Sequence, residues 1–294
     1  MSHDSFTSRS IDGSTLLSVI IPVYNEEATL GEVLERVLKL PGDVEAIVVD
    51  DGSTDQTKTI IAEAARADHR IRSIRLEANS GKTAAVRRGI EEAQGGAIVI
   101  QDADLEYDAT EIPRLIEAIQ LGRADVVYGS RLMHRPARGD WPFWHYAGNR
   151  VITAVSNCFT HWRLTDVETC YKAFRAPLLK KLTLTSKRFG MEIEITALAS
   201  QTNARLLEVP VAYAPRNVAQ GKKIRFTDGL WAIYYVFYYN LVARWKTVTR
   251  HYTQSVNEFL DTIISNERMA EWGDGSSAMA GRSSEVLTTI PSAI

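Results

Sequence analysis

Short apolar, β-branched runs alternate with segments of helical period along the first half of the chain, which predicts a layered α/β fold. Leu17-Ser18-Val19-Ile20-Ile21-Pro22-Val23 reads as a buried strand that stops at the polar turn Tyr24-Asn25-Glu26-Glu27. Leu30, Val33, Leu34, Val37 and Leu38 then recur at helical spacing, and Pro41-Gly42 closes that helix. Val44 to Val49 gives a second strand, and Ser53 with Gln56 three residues on has the form of a capping box for a helix through about Ala67. Ile71 to Leu76 gives a third strand, followed by Asn79-Ser80-Gly81-Lys82 and a helix from roughly Thr83 to Ala93. Ala97 to Ile100 is the fourth, and it runs into Gln101-Asp102-Ala103-Asp104-Leu105-Glu106. Each helix is long enough for a right-handed crossover, so the sheet is mostly parallel and flanked by helices.

Every one of these strands delivers a polar cluster at the same, C-terminal, edge: Tyr24 and Glu26, Asp50 and Asp51, Asn79 and Lys82, Asp102 and Asp104. That is the edge at which a parallel sheet keeps its ligands. Carboxylates converging there repel one another unless a cation sits among them, and oxygen-only ligands with room for phosphate favour Mg²⁺ or Mn²⁺. The expectation is a metal–diphosphate site. Lys82 follows a glycine near a helix start, which suits a diphosphate through charge and backbone N–H groups. Arg131, just beyond a further strand at Ala124 to Tyr128, is placed to hold phosphate by paired hydrogen bonds.

Composition narrows the classes. With 34 basic against 36 acidic residues and a net charge of -2, no nucleic-acid partner is expected. Cys158 and Cys170 show no metal-ligand spacing and fit inert thiols in a reducing compartment. Residues 1–15 are polar and carry no apolar signal core, so they read as a disordered lead-in. No run of about 18 uninterrupted apolar residues exists; the nearest, Leu230 to Ala243, is short, rich in tyrosine and ends in Arg244-Trp245-Lys246. Leu230, Ile233, Tyr234, Phe237, Tyr238 and Leu241 recur there at helical spacing, enlarged by Trp231, Tyr235 and Trp245, as in helices that lie in a membrane interface. Packing against the domain or a second copy, as a homo-oligomer, is the competing account. Trp141 to Tyr146 is a second aromatic group, ahead of a helix from about Asn149 to Phe159. From Gly273 onward the composition need not fold. The organisation expected is a catalytic domain over 16–227, amphipathic helices over 228–272 and a disordered tail over 273–294.

Taken in order, Pro22-Val-Tyr-Asn-Glu26, Asp50-Asp-Gly-Ser-Thr-Asp55, Asn79-Ser-Gly-Lys82 and Asp102-Ala-Asp-Leu-Glu106 closely resemble the family 2 glycosyltransferases of GT-A fold. The resemblance continues through Asp166-Val-Glu-Thr-Cys-Tyr-Lys-Ala-Phe-Arg175, Val209-Pro-Val-Ala-Tyr213 and Gly221-Lys-Lys-Ile224, and covers about Leu16 to Lys246. It is similar to the branch of dolichol-phosphate mannosyltransferase and bacterial polyprenyl-phosphate hexosyltransferases.

The resemblance implies a Rossmann-like GT-A domain and an inverting, metal-dependent transfer of a hexose from a nucleotide diphosphate sugar, with GDP-mannose and UDP-glucose the leading donors. Pro22, Tyr24 and Glu26 would meet base and ribose, and Asp50 and Asp51 would accept from a base N–H. Asp104 becomes the first metal ligand, with Asp102 on metal or ribose and Glu106 completing the set. The acceptor it implies is a polyprenyl phosphate, already an anion that attacks without a strong base, so that Asp166 is either a weak base or an orienting group for the sugar or an arginine. Lys172 and Arg175 would lie near the acceptor, Glu192 and Glu194 on a helix facing the sugar, and Arg216, Lys222, Lys223 and Arg225 in a loop that grips phosphate. The enzyme would then sit peripherally on the cytoplasmic face of a membrane. Two alternatives stand beside this: a soluble or glycan hydroxyl acceptor, for which Asp166 must serve as base, and a nucleotide-sugar-binding protein without turnover.

Overall fold

The computed structural model describes residues 16–133, 143–186, 190–216 and 226–282. β1 (Leu17–Val23), β2 (Val44–Asp50), β3 (Ile71–Arg75) and β4 (Ala97–Ile100) are joined through α1 (Leu30–Leu38), α2 (Thr57–Ala67) and α3 (Lys82–Glu92). α4 (Ile112–Gln120) leads to β5 (Val126–Ser130), and α5 (Phe143–Phe159) to β6 (Lys172–Arg175). After α6 (Ala176–Lys180) and α7 (Met191–Ala199) come β7 (Leu206–Pro210), α8 (Phe226–Phe237) and α9 (Thr247–Arg282). The strands form one sheet in the order β3-β2-β1-β4-β6-β5-β7. Neighbours are parallel except at β6, which runs antiparallel to both β4 and β5. The expected α/β sheet is therefore present, with one reversed strand that periodicity did not announce.

β1 and β2 are buried almost throughout because helices cover both faces of the sheet. Val19, Ile21 and Val23 point into one core with Leu30, Val33 and Ile112; Ile20 points into the other with Ala85, Val86 and Ile90. α3 approaches β1 closely, so that a Cβ on Gly89 would stand 2.5 Å from Ile20 Cγ2. That approach fixes where the start of α3, and with it Lys82, meets the sheet edge.

Two expectations change and one open choice is resolved. The capping box is absent: Asp55 Oδ1 accepts from Thr57 N at 3.0 Å at the start of α2, while Ser53 Oγ accepts from Asn25 N at 3.0 Å. The serine therefore ties two edge loops together instead of opening a helix. The stretch 228–272 packs on the domain, which was the competing account for its aromatic helix. Ala232, Val236, Tyr239 and Ala243, with Tyr252, Val256 and Leu260 of α9, share a core with α7 and the sheet, because these positions recur on one helical face. Finally, α9 continues to Arg282, past Gly273, since extending a formed helix costs far less than starting one. Residues 1–15 and 283–294 lie outside the described residues.

Gly89→Ala sets two effects against each other. Helix propensity favours alanine by about 1 kcal/mol, whereas overpacking against Ile20 costs roughly 1–3 kcal/mol. The contact should win, so urea unfolding is expected to show a net loss of stability; a gain would mean that Ile20 yields without strain.

Candidate active site

Four loops meet beyond β1, β2, β3 and β4, and non-glycine residues in left-handed conformation shape two of them: Asn25 with φ 54° and Leu105 with φ 60°. A branched residue such as leucine rarely adopts that conformation. At Leu105 it turns the chain between Asp104 and Glu106, so the carboxylates after β4 converge through a turn and not, as extended alternation suggested, along a strand. Glu106 N donates to Asp104 Oδ1 at 3.1 Å within this turn.

Arg216 occupies the centre of the acidic cluster. Its guanidinium lies 2.9 Å from Glu26, 2.8 Å from Asp104 and 3.7 Å from Glu106, and its backbone N donates to Glu106 Oε1 at 2.9 Å. Tyr213 donates its hydroxyl to Glu106 Oε2 at 2.6 Å. Sequence reasoning put Arg216 on a phosphate; in the structure it holds the carboxylates of Glu26, Asp104 and Glu106. Lys82 Nζ performs the same service 2.6 Å from Asp102, with Cys170 Sγ at 3.0 Å and Glu192 at 3.5 Å. Burial disfavours a charged lysine, yet the charges of Asp102 and Glu192 hold Lys82 protonated well above its ordinary range.

Two cations do not balance the cluster. Burial, together with the charges of Asp102 and Glu106, pushes the Asp104 carboxyl up to about 7 even with Arg216 beside it. Asp102 and Asp104 thus fit a cation: they are oxygen donors in an over-acidic pocket where a guanidinium already stands. Glu106 accepts from Tyr213 and from the Arg216 backbone N, and among the described residues no three acidic, histidine or cysteine side chains form a ready ligand set.

The carboxylates at the end of β2 face inward. Asp50 accepts from Ser53 N at 2.8 Å and from Arg75, and Asp51 accepts from Ser80 N at 2.7 Å and Gly81 N at 2.8 Å. They brace the loop ahead of Lys82, whereas sequence reasoning aimed them at a base. Pro22 and Tyr24, at the end of β1, are half-buried on the same edge.

Across the cleft Arg131 and Asp166 form a buried, two-pronged pair, Nε to Oδ2 at 2.7 Å and an Nη to Oδ1 at 2.8 Å. Arg131 N and Asn149 Nδ2 also donate to Asp166, at 3.1 and 2.8 Å. Burial would raise this carboxyl, but Arg131 and Asn149 together hold it below the usual carboxylate range. An acid so stabilised is a poor base, and the geometry matches the orienting role. The Arg131 guanidinium also lies 5.0 Å from the Tyr213 ring centre.

Other expected residues fall elsewhere. Arg175 pairs with buried Asp125 at 2.9 Å, shared with Arg205, at the opposite edge of the sheet. The reversal of β6 puts it there: Arg175 is registered with Ala97, the first residue of β4. Lys172 Nζ is buried against the carbonyls of Val167 and Thr169, 4.2 Å from the Tyr128 ring centre. Glu194 is wholly buried and accepts from Thr185 and Ser186, so only Glu192 of that pair reaches the site. Lys222, Lys223 and Arg225 lie outside the described residues, as do Trp141 and Pro142.

Glu168 was missed. It is two residues past Asp166 in a motif whose other members drew attention, and its Oε1 is buried without a hydrogen-bond partner. Burial and the charge of Glu192 push its carboxyl up to about 8, against Lys172 and Arg131. A raised folded-state value means that folding takes up a proton between roughly pH 4.5 and 8, so stability drains away as pH rises through that window by at most about 1.4 kcal/mol per unit. Glu168→Gln should therefore become progressively more stable than the parent between pH 5 and 8, and no more so above. Urea titrations at several pH values read this directly, and parallel curves for the two proteins would refute it.

The match to known proteins agrees with this geometry. The model of the family described as "Glycosyl transferase family 2" matches residues 18–183. An undecaprenyl-phosphate 4-deoxy-4-formamido-L-arabinose transferase of Proteus mirabilis is 33% identical over 211 residues, 70% of this chain and 62% of that protein. The chain thus spans about three fifths of the length of such relatives. A polyprenol monophosphomannose synthase of Mycolicibacterium smegmatis is 29% identical over 211 residues, 69% of this chain and 79% of that protein. Among solved structures, the glucosyl-3-phosphoglycerate synthase of Mycobacterium tuberculosis with Mn²⁺, uridine diphosphate and glucosyl-3-phosphoglycerate shares the fold, with a TM-score of 0.56 at 20% identity over 78% of this chain and 80% of that one. The resemblance carried by the ordered motifs is one of descent, and the chain belongs to glycosyl transferase family 2.

Proposed function

We infer that this chain transfers a hexose, mannose or glucose, from a nucleotide diphosphate sugar to a polyprenyl phosphate with inversion. The observation that carries the acceptor is the saturated Asp166: with Arg131 and Asn149 on its oxygens it does not deprotonate a hydroxyl, and a phosphate acceptor needs no such step. The two relatives named above are, by name, an undecaprenyl-phosphate transferase and a polyprenol phosphomannose synthase, which supports the same reading.

Asp102 and Asp104 would hold a divalent cation, Mg²⁺ or Mn²⁺, and when bound it supplies positive charge against the leaving diphosphate. Lys82, at the start of α3, adds charge and helix-end N–H groups on the same side. Tyr24 and Pro22 border the nucleotide end. Arg131, held rigid by Asp166, offers its outward face to the phosphate of donor or acceptor. Arg216 leaves its carboxylates as the donor's own charges enter, and then faces phosphate as the family resemblance implies.

A hydroxyl acceptor is the second reading, and Glu168 is what favours it: a carboxyl poised near neutral pH suits a general base. The exposed aromatic side of α8 supports attachment to a membrane surface, where a polyprenyl phosphate resides.

Two experiments test these readings. Purified protein with Mg²⁺ or Mn²⁺ and a panel of GDP- and UDP-sugars should release nucleoside diphosphate only when a polyprenyl phosphate is added; release driven by hydroxyl compounds alone would favour the second reading. Asp166→Asn takes from buried Arg131 its two-pronged carboxylate partner, and should lower kcat by roughly 10²-fold or more at every pH. A pH optimum that moves instead would return Asp166 to the role of base.

A further inference from the structure

A cavity of about 570 Å³ opens between the C-terminal ends of α5 and α7, the π-helical turn Tyr238–Val242 and the first turns of α9. Its lining includes His161, Gln201, Asn240, Arg244, Trp245 and Arg250, and it contains no acidic residue. It is separate from the catalytic edge. Asn149 touches Asp166 from α5, while Phe159, ten residues along the same helix, lines the cavity, a separation of about 15 Å.

The cavity is electropositive by construction. Between Gly229 and Asn257 the chain carries Arg244, Lys246 and Arg250 and no aspartate or glutamate. Among the described residues neither Arg244 nor Arg250 has a carboxylate partner; each guanidinium instead lies 5.4 Å from the Trp245 ring centre. Trp245 itself is 65% exposed. It continues an apolar surface made of Leu230, Trp231, Tyr234, Phe237, Leu241, Val242 and Val248, which with Trp245 are eight of the twelve large apolar side chains exposed among the described residues.

We propose that this cavity binds the phosphate of an anionic phospholipid headgroup, with Arg244 and Arg250 on the phosphate while Trp245 and the outer side of α8 enter the same leaflet. A free anion would gain nothing from the apolar rim, whereas a lipid uses both. A second copy of the chain, paired through this face, would bring its cations against their own kind. The proposal deepens the membrane part of the reading above and is independent of the transfer reaction, because it predicts headgroup selectivity at a place remote from donor and acceptor.

The test is flotation of the full chain, without donor, on vesicles of phosphatidylcholine alone or mixed with phosphatidylglycerol. The parent should prefer the anionic vesicles. Arg244→Gln with Arg250→Gln should lose that preference by roughly thirtyfold, at about 1 kcal/mol per basic residue, and keep its weaker binding to phosphatidylcholine. Lys39→Gln with Lys58→Gln, a pair of equal charge just past α1 and on α2, should keep the preference; an equal loss in both pairs would overturn the proposal in favour of diffuse attraction. Gln254→Glu, which sets a carboxylate in the lining and spares both arginines, should reproduce the loss should the arginine pair fail to fold. Monomeric dihexanoyl phosphatidylglycerol should bind the parent and resist displacement by inorganic phosphate at equal concentration; equal displacement would make this a free-phosphate site and overturn the lipid assignment. Lipid-free dimerisation abolished by Trp231→Ser and Phe237→Ser would assign the face to a second copy and overturn it as well. Transfer by the parent in the donor screen is read separately, so failure there leaves these outcomes unaffected.

Discussion

Mutual repulsion among buried carboxylates governs how this edge of the sheet is built. Glu26, Asp102, Asp104 and Glu106 arrive from two strands, and gathering them in a site of low dielectric costs free energy unless positive charge comes with them. Arg216 and Lys82 supply it from distant parts of the chain: Arg216 lies 190 positions from Glu26, and Lys82 sits at the start of a helix packed tightly on β1. The close approach at Gly89, the inward turn of Asp51 and the left-handed residue at Leu105 all serve to keep these groups within a few ångströms of one another. Even so the compensation is incomplete, and Asp104 carries the residue of it. A site left short of positive charge is one that a cation can enter at a gain.

Buried arginine–aspartate pairs recur at the two ends of the same sheet, with different consequences. At the far edge Asp125 takes both Arg175 and Arg205 and locks the starts of β5 and β7 to the end of β6. At the catalytic edge Asp166 takes Arg131 and Asn149, and the guanidinium so fixed still has a face toward Tyr213 and the cleft. Removing either aspartate strands a buried cation, which is the costlier way to break such a pair. The chemistry is the same; only the direction in which the arginine is presented separates the two ends of the sheet.

Much of this was legible in the sequence, and the limits follow from what periodicity encodes. β1 to β4 and their helices were read in order because each strand is a dense β-branched run followed by its own helix, and the polar clusters at their ends were placed on the correct edge. Strand direction carries no such signature. β6 is only four residues long, Lys172-Ala173-Phe174-Arg175, and nothing in it marks its direction, so Arg175 was set at the site when reversal puts it at the opposite edge. Likewise a motif lists residue types without saying which way they face. Asp50 and Asp51 bind their own loops, Glu194 is a core residue, and Glu168, unremarked inside a familiar run, turned out to have a buried, unsatisfied oxygen. The capping box failed for a related reason: Ser53 had a better partner in Asn25, far away in sequence.

The reversal of β6 also bears on the order in which the molecule can be assembled. β1 to β4 have all been made once Ile100 is reached, whereas β6 comes more than seventy residues after β4, and Arg216 later still. Domains begin to fold while synthesis proceeds. The acidic edge is therefore drawn together before its principal counter-charge exists. A nascent chain at that stage has Lys82 as its one near cation from the elements already formed, and ions from the surrounding solution are the natural tenants of the place that Arg216 will take.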